Sequence, residues 1–246
     1  MKHKRSAGVA LIKSGAVIGY LLSSLFLLTV AITASCGSSG YGGGGGGGYG
    51  APQPMQGASF YVDEVKGFDS LYYGTSSAPF RTITYALLIA GPNTTIIVQP
   101  GTYNSANTEM FPLVLQPGQM LIGDVPNKGD NGTTSTIITG TGSLMTTVGV
   151  FTSATIVGAS GSRVSGFKIE NAPTALDVAI VASGAMEISN NTLMNTNGVV
   201  VFADSGTVSA MGNTWPQMPP VCGTDIVVSP PGIVIWGSMA MQQCPP

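Results

Sequence analysis

Histidine is nearly absent. The one copy, His3, sits among the first residues, and nothing beyond residue 36 carries an imidazole. That removes Ser-His-Asp and Cys-His nucleophilic catalysis and the commonest zinc ligand from that part of the chain. Charge is also scarce, at 8% of residues. Four of the nine basic side chains, Lys2, Lys4, Arg5 and Lys13, stand at the N-terminus, where there is no acid. The remainder keeps Lys66, Arg81, Lys128, Arg163 and Lys168 against all eleven acids, a net charge of −6. With no basic patch, nucleic acid is not expected as a partner. Only three cysteines occur, Cys36, Cys222 and Cys244.

Long apolar runs are confined to the start. A basic front precedes an uncharged apolar stretch from Ser14 to Ser35, the pattern of an export signal. The stretch is also long enough to span a bilayer. Two readings stay open: a cleaved signal or a retained N-terminal anchor. Both place the basic end inside and the rest of the chain outside. The end of the stretch, Thr33-Ala34-Ser35-Cys36-Gly37, resembles the lipobox of bacterial lipoproteins, with Thr33 where that family usually has Leu. The resemblance implies acylation of Cys36 and, with Gly37 behind it, delivery to the outer membrane of a Gram-negative bacterium. The alternative is a cysteine at the end of a membrane helix. Residues 1–36 are therefore assigned to the signal or anchor.

Residues 37–57, GSSGYGGGGGGGYGAPQPMQG, show no hydrophobic period and no charge. Glycine this dense cannot offset its backbone entropy and is expected to form a flexible linker. A coil of this composition spans roughly 25 Å root-mean-square. The Gly run lacks the flanking strand, Lys and helix of a phosphate-binding loop.

Residues 58–246 carry a repeat: two apolar residues, a short polar or small spacer, then Gly. It ends at Gly101, Gly118, Gly140, Gly161, Gly184, Gly206 and Gly232, in steps of 17, 22, 21, 23, 22 and 26. Short Val- and Ile-rich strands, glycine turns and a period near 22 predict an all-β solenoid. We expect a short parallel β-helix of about seven coils, its strands about 4.8 Å apart. Met186, Ile188, Asn191 and Leu193 match Val208, Ala210, Asn213 and Trp215 at +22, and Asn171 matches Asn195 at +24. Asn191 over Asn213 predicts a stacked amide pair at a turn, with a metal or sugar site as the alternative. Trp215 falls in the Leu193 column and is assigned to the core, whereas Trp236 has no such match and is a candidate exposed ring. Cys222 and Cys244 are one period apart, within reach of a disulfide that would staple the last coil. At the other end, Ile83, Ala86, Leu87 and Ala90 recur at helical spacing between Thr82, a capping residue, and Gly91-Pro92. An amphipathic helix over 81–90 is expected to cap the first coil.

The segment from Tyr61 to Tyr103 resembles the N-terminal signature of bacterial right-handed parallel β-helix proteins. The matching residues are Tyr61-Val62-Asp63, Gly67, Asp69, Gly74-Thr75, Pro79-Phe80, Thr82-Ile83, Ala86 and Pro100-Gly101-Thr102-Tyr103. With FPLVLQPGQMLIGDVPNKG and VSGFKI further on, residues 60 to 215 resemble the family catalogued as domain of unknown function 1565, a pectin-lyase-like β-helix. The resemblance implies that fold and no settled reaction. The superfamily's esterases carry catalytic carboxylates in motifs missing here; the nearest string is Gly223-Thr224-Asp225. Its polygalacturonases need a Gly-His-Gly. Its lyases need several calcium-binding Asp and an Arg base, and only Arg81 and Arg163 are present outside the N-terminus.

Isolated acids remain. Asp63 and Asp69, around Gly67, are expected to form a turn that docks the N-terminal segment, with calcium as the alternative. Asp124 and Asp130 flank a polar loop that suits solvated turn residues better than a glycosidase pair. No catalytic residue, metal ligand or cofactor is assigned. The expected function is a lipid-anchored, surface-exposed module of the cell envelope that binds polysaccharide or another surface component. The alternatives are a diverged polysaccharide lyase or hydrolase, which rests on fold analogy alone, and a purely structural envelope component.

Overall fold

The computed structural model describes residues 59–148, 151–171, 177–195, 199–239 and 242–246. The signal or anchor stretch 1–36, with Cys36, and the linker 37–57 lie outside them. The described chain is mostly β, and α1 is the one α-helix within it.

Strand β1 (Ser59–Val62) leads through a long loop to α1 (Ile83–Ile89), then β2 (Thr95–Val98), β3 (Gly101–Asn104), β4 (Leu113–Val114) and β5 (Met120–Ile122). Next come β6 (Thr136–Thr139), β7 (Gly142–Val148), β8 (Phe151–Ala159), β9 (Arg163–Ser165), β10 (Lys168–Asn171) and β11 (Asp177–Ser183). The chain ends with β12 (Met186–Ser189), β13 (Thr192–Asn195), β14 (Val199–Ser205), β15 (Thr207–Ser209), β16 (Ile226–Val228), β17 (Ile233–Ile235) and β18 (Gln243–Cys244).

These strands form three open sheets. The largest has eight strands in the order β1-β2-β5-β9-β12-β15-β17-β18; a four-stranded sheet runs β13-β10-β6-β3; a third runs β16-β14-β11-β8-β4, with β7 beside β8. Pairing is parallel except for β7 with β8 and β17 with β18. From β2 to β14 the chain visits the eight-stranded, four-stranded and third sheets in that order, circuit after circuit. Period-two alternation sends one set of side chains inward. Ile96, Leu121, Val164 and Ile188 come from the large sheet, Tyr103, Ile138, Ile169 and Leu193 from the four-stranded sheet, and Ile156, Ile180 and Val201 from the third, in one buried core. Each such aliphatic side chain contributes roughly 1.5–3 kcal/mol on burial. No circuit encloses these residues without its neighbours.

The helix is shorter than the expected 81–90. Thr82 caps it, its Oγ1 accepting the Tyr85 N–H at 3.0 Å, and Ala90 closes it in extended conformation. Seven residues are too few for an isolated helix to be stable in water. Burial of Ile83, Ala86 and Leu87 holds it.

Two of the seven expected repeat units occupy other positions in the circuit. The segments ending at Gly118, Gly161, Gly184, Gly206 and Gly232 contain β4, β8, β11, β14 and β16, all in the third sheet. The segment ending at Gly101 holds β2 of the large sheet, and the one ending at Gly140 holds β6 of the four-stranded sheet. For the Gly140 segment the cause is one long circuit. Met120 pairs directly with Arg163, 43 residues on (163 − 120), because a polar loop and the β7–β8 hairpin lengthen that turn. From β8 onward the paired steps run between 21 residues, Ile180 to Val201, and 26, Val208 to Val234.

Candidate functional site

The outer face of the large sheet presents one column of side chains in register. Thr95 pairs with Met120, Met120 with Arg163, Arg163 with Glu187, and Met186-Glu187 with Val208-Ser209. Thr95, Met120, Arg163, Glu187 and Ser209 are all half-buried and alternate with fully buried core positions. Across β5, β9, β12 and β15 the column floors an open hollow of about 350 Å³, lined by Met120, Ser162, Arg163, Glu187 and Thr207 among others. At about 4.8 Å per strand it crosses roughly 15 Å of sheet.

Arg163 Nε stands 3.4 Å from Glu187 Oε1, and the Ser189 hydroxyl donates to the same oxygen at 2.6 Å. A partly exposed pair of this kind stabilises a fold by about 0–1 kcal/mol. What it does supply is guanidinium donors, carboxylate acceptors and hydroxyls arranged along a ladder. On the four-stranded sheet Lys168 stands 3.1 Å from Glu170 and 3.7 Å from Asp130. Its hydrogen bond to Glu170 holds the ammonium above its ordinary value.

Asp63, Asp69, Asp124, Asp130 and Asp225 are held by hydrogen bonds within their own loops. Asp63 Oδ1 accepts the N–H groups of Val65 and Lys66, both at 3.0 Å. Asp69 accepts from the Arg81 and Thr82 N–H groups at 2.8 and 3.1 Å, and from the Thr82 hydroxyl at 2.8 Å. These are the docking turns the sequence predicts. Asp124 accepts from the Asn127 side chain at 2.9 Å, and Asp130 from the Ser135 hydroxyl at 3.3 Å. Asp225 takes the Val221 N–H at 2.8 Å, so the Gly223-Thr224-Asp225 string is a turn whose carboxylate bonds its own loop. Among the described residues, no group of three His, Cys, Asp or Glu side chains stands ready to hold a metal.

Asn191 and Asn213 do stack: Asn213 Oδ1 accepts from the Asn191 backbone and side chain at 2.9 and 3.1 Å. Trp215 is buried in the core, and Trp236 is half-buried and packed against it rather than exposed. Cys222 and Cys244 stand at disulfide distance, with Cα atoms 5.5 Å apart. They meet by a route other than stacking in one column. Cys222 lies in the turn before β16, and Cys244 arrives on β18, which reverses against β17 so that Val234 faces it.

Glu109 is the residue that sequence reasoning missed. It is buried, and its carboxylate accepts the N–H groups of Ile83 and Thr84 at 2.7 and 2.8 Å and the Thr84 hydroxyl. Burial pushes the carboxyl above the ordinary glutamate range, and the hydrogen bonds from Thr84 and Ile83 offset part of the shift. The one available signal was a lone acid with no basic neighbour in sequence.

With this geometry in view, the comparison with known families is decisive for kinship. The profile of DUF1565, described as a protein of unknown function, matches residues 65–243. The chain belongs to the DUF1565 family. That match covers the helix, all three sheets from β2 onward and the groove of Arg163 and Glu187. No curated protein and no solved structure matches the chain. No helix among the described residues is long and apolar enough to cross a membrane.

Proposed function

We propose that this DUF1565 chain is a lipoprotein held at the outer membrane through Cys36. Its β-domain is a short right-handed parallel β-helix that binds polysaccharide. Several features support this. The chain passes through three sheets in fixed order with parallel pairing, and parallel crossovers are right-handed in nearly all proteins. The N-terminal basic front, apolar stretch and Ala34-Ser35-Cys36-Gly37 support the anchor. The observation that carries the binding role is the ladder of Met120, Arg163, Glu187 and Thr207 in an open hollow across four strands. A linear sugar chain presents hydroxyls and a ring face at regular intervals, and this ladder sets an apolar side chain, a cationic donor, a carboxylate acceptor and a hydroxyl on four neighbouring strands.

The test uses the full chain in detergent micelles or vesicles, incubated with uronic-acid and neutral polysaccharides with and without calcium. Retention on at least one polymer is expected, without released fragments. Arg163→Ala with Glu187→Ala is expected to weaken retention about tenfold, or about 1.4 kcal/mol, while the unfolding midpoint stays near that of the parent. Unsaturated or hydrolysed fragments in the mass spectrum would replace this reading with a diverged lyase or hydrolase. Absence of retention on every polymer would leave a structural role in the envelope.

A further inference from the structure

The end of the β-domain at which the chain enters carries an apolar surface that the domain itself leaves open. β1, β3 and β4 are the terminal strands of the three sheets, so they mark one end of the stack. The loop after β1 folds over its free edge. Tyr61 N–H donates to the Gly74 carbonyl at 3.0 Å, Phe80 N–H to that of Tyr61 at 2.8 Å, and Asp63 N–H to that of Phe80 at 2.9 Å. Backbone bonds of this kind blunt an edge without help from exposed apolar side chains. Yet Val65, Phe68 and Tyr72 on this loop are 81%, 60% and 91% exposed. Among the described residues, the exposed aromatic rings, Phe68, Tyr72 and Tyr73, all belong to this loop. Phe68 and Tyr73 pack with centroids 5.5 Å apart. The helix α1 touches β1, β2 and β4 and turns Leu88 outward, 74% exposed. Leu88, Met110 and Val114 line an apolar hollow there. Scattered exposed hydrophobes need no explanation, but a concentration at one end marks a contact surface.

The chain preceding this end points to the occupant. Behind β1 stand the Gly-rich residues 37–57 and the uncharged run Ser14–Ser35. A Gly-rich coil of that length reaches only roughly 25 Å root-mean-square. Amphipathic rings favour the headgroup level of a bilayer, and exposed Lys66 and Arg81 lie on the same loop, where long basic side chains reach back to water and phosphate. We propose that this end of the β-domain rests on the lipid bilayer, with Phe68, Leu71, Tyr72 and Leu88 entering the headgroup layer. The Arg163–Glu187 groove then stands away from the membrane along the stack. This inference rests on reading the N-terminal segment as a membrane anchor.

The full chain carrying Tyr72→Trp is incorporated into vesicles of phosphatidylethanolamine and phosphatidylglycerol brominated on the acyl chains. The native Trp215 and Trp236 follow β15 and β17, toward the opposite end, and serve as the control. The variant is expected to lose most of its added emission in brominated vesicles, whereas the parent chain keeps its own. Adding Phe68→Ser and Leu88→Gln, both at exposed positions, is expected to restore the emission. A chain that floats with the vesicles but shows no bromine quenching overturns the proposal and leaves the anchor standing. A chain that does not float overturns both. Emission that responds to added polysaccharide and not to bromine makes this end a sugar site and overturns the membrane contact.

Discussion

Asn191 and Asn213 sit where two successive circuits turn, and neither side chain has a free end. Besides bonding each other, Asn191 Nδ2 donates to the Val164 carbonyl at 3.0 Å and Asn213 Nδ2 to that of Ile188 at 2.7 Å. The Phe167 N–H in turn donates to Asn191 Oδ1 at 3.0 Å. Removing one member orphans buried backbone groups, which costs about 1–3 kcal/mol per site. Asn213→Ala is expected to lower unfolding free energy by about that amount. Asn191→Ala in the same chain should add less than its single effect, because the two bond each other. Urea denaturation of the two single variants and the double checks both statements. The +22 match made this pair visible in sequence, since two amides at the same phase of a repeat have one neighbour to bond. Gly67 was visible only through the resemblance, and the structure supplies its physical reason. A Cβ there would run into the Phe80 carbonyl, which holds the docking turn of Asp63 against the sheet.

At the scale of elements, α1 depends on a side chain far from it in sequence. A seven-residue helix has unpaired N–H groups at its start, and Thr82 satisfies the Tyr85 N–H while Glu109 takes those of Ile83 and Thr84. Glu109→Ala is expected to cost about 1–3 kcal/mol, with the loss of hydrogen-exchange protection centred on α1. The same residue sets a pH dependence. Its carboxyl lies above the ordinary range in the folded state. Between the unfolded and folded values the native chain therefore holds a proton that the unfolded chain has released. Stability falls as pH rises through that window, and Glu109→Gln should flatten the slope. Denaturation midpoints taken across mildly acidic pH measure this directly. The helix itself was legible from Ile83, Ala86 and Leu87, which recur at 3.6-residue spacing. Glu109 was not, because its role exists only once a chain turn 26 residues away is folded against Ile83.

At the scale of the whole described chain, cohesion comes from parallel pairing along three sheets and from one core that all three share. The far end is closed by β18, which runs against β17 and brings Cys244 to Cys222. A bridge there closes a loop of 22 residues, and its reduction is expected to lower stability by on the order of 3 kcal/mol. The expected sign is loss of exchange protection in β16, β17 and β18 with β9 and β12 unaffected, measured with and without reductant. The period near 22 gave the correct pair of cysteines through an incorrect picture of how they meet. A repeat says that two residues share a phase; it does not say that the last strand turns back.

Residue types and spacing alone determined that the described part of this chain would be mostly β, built of short parallel strands with one helix. Val, Ile and Gly at fixed phase allow few other ways to bury the apolar set. They also determined the turn roles of Asp63 and Asp69, which bond within one loop, and of Asn191, which the +22 match places beside Asn213. The tertiary structure decided what depends on contacts between distant residues. It set the 43-residue circuit between Met120 and Arg163, which a periodic count divides into two, and the burial of Glu109 under α1. It also decided which side chains share the outer column of the large sheet, because a face exists only after register is set, and a shift of one residue would have turned Arg163 and Glu187 into the core.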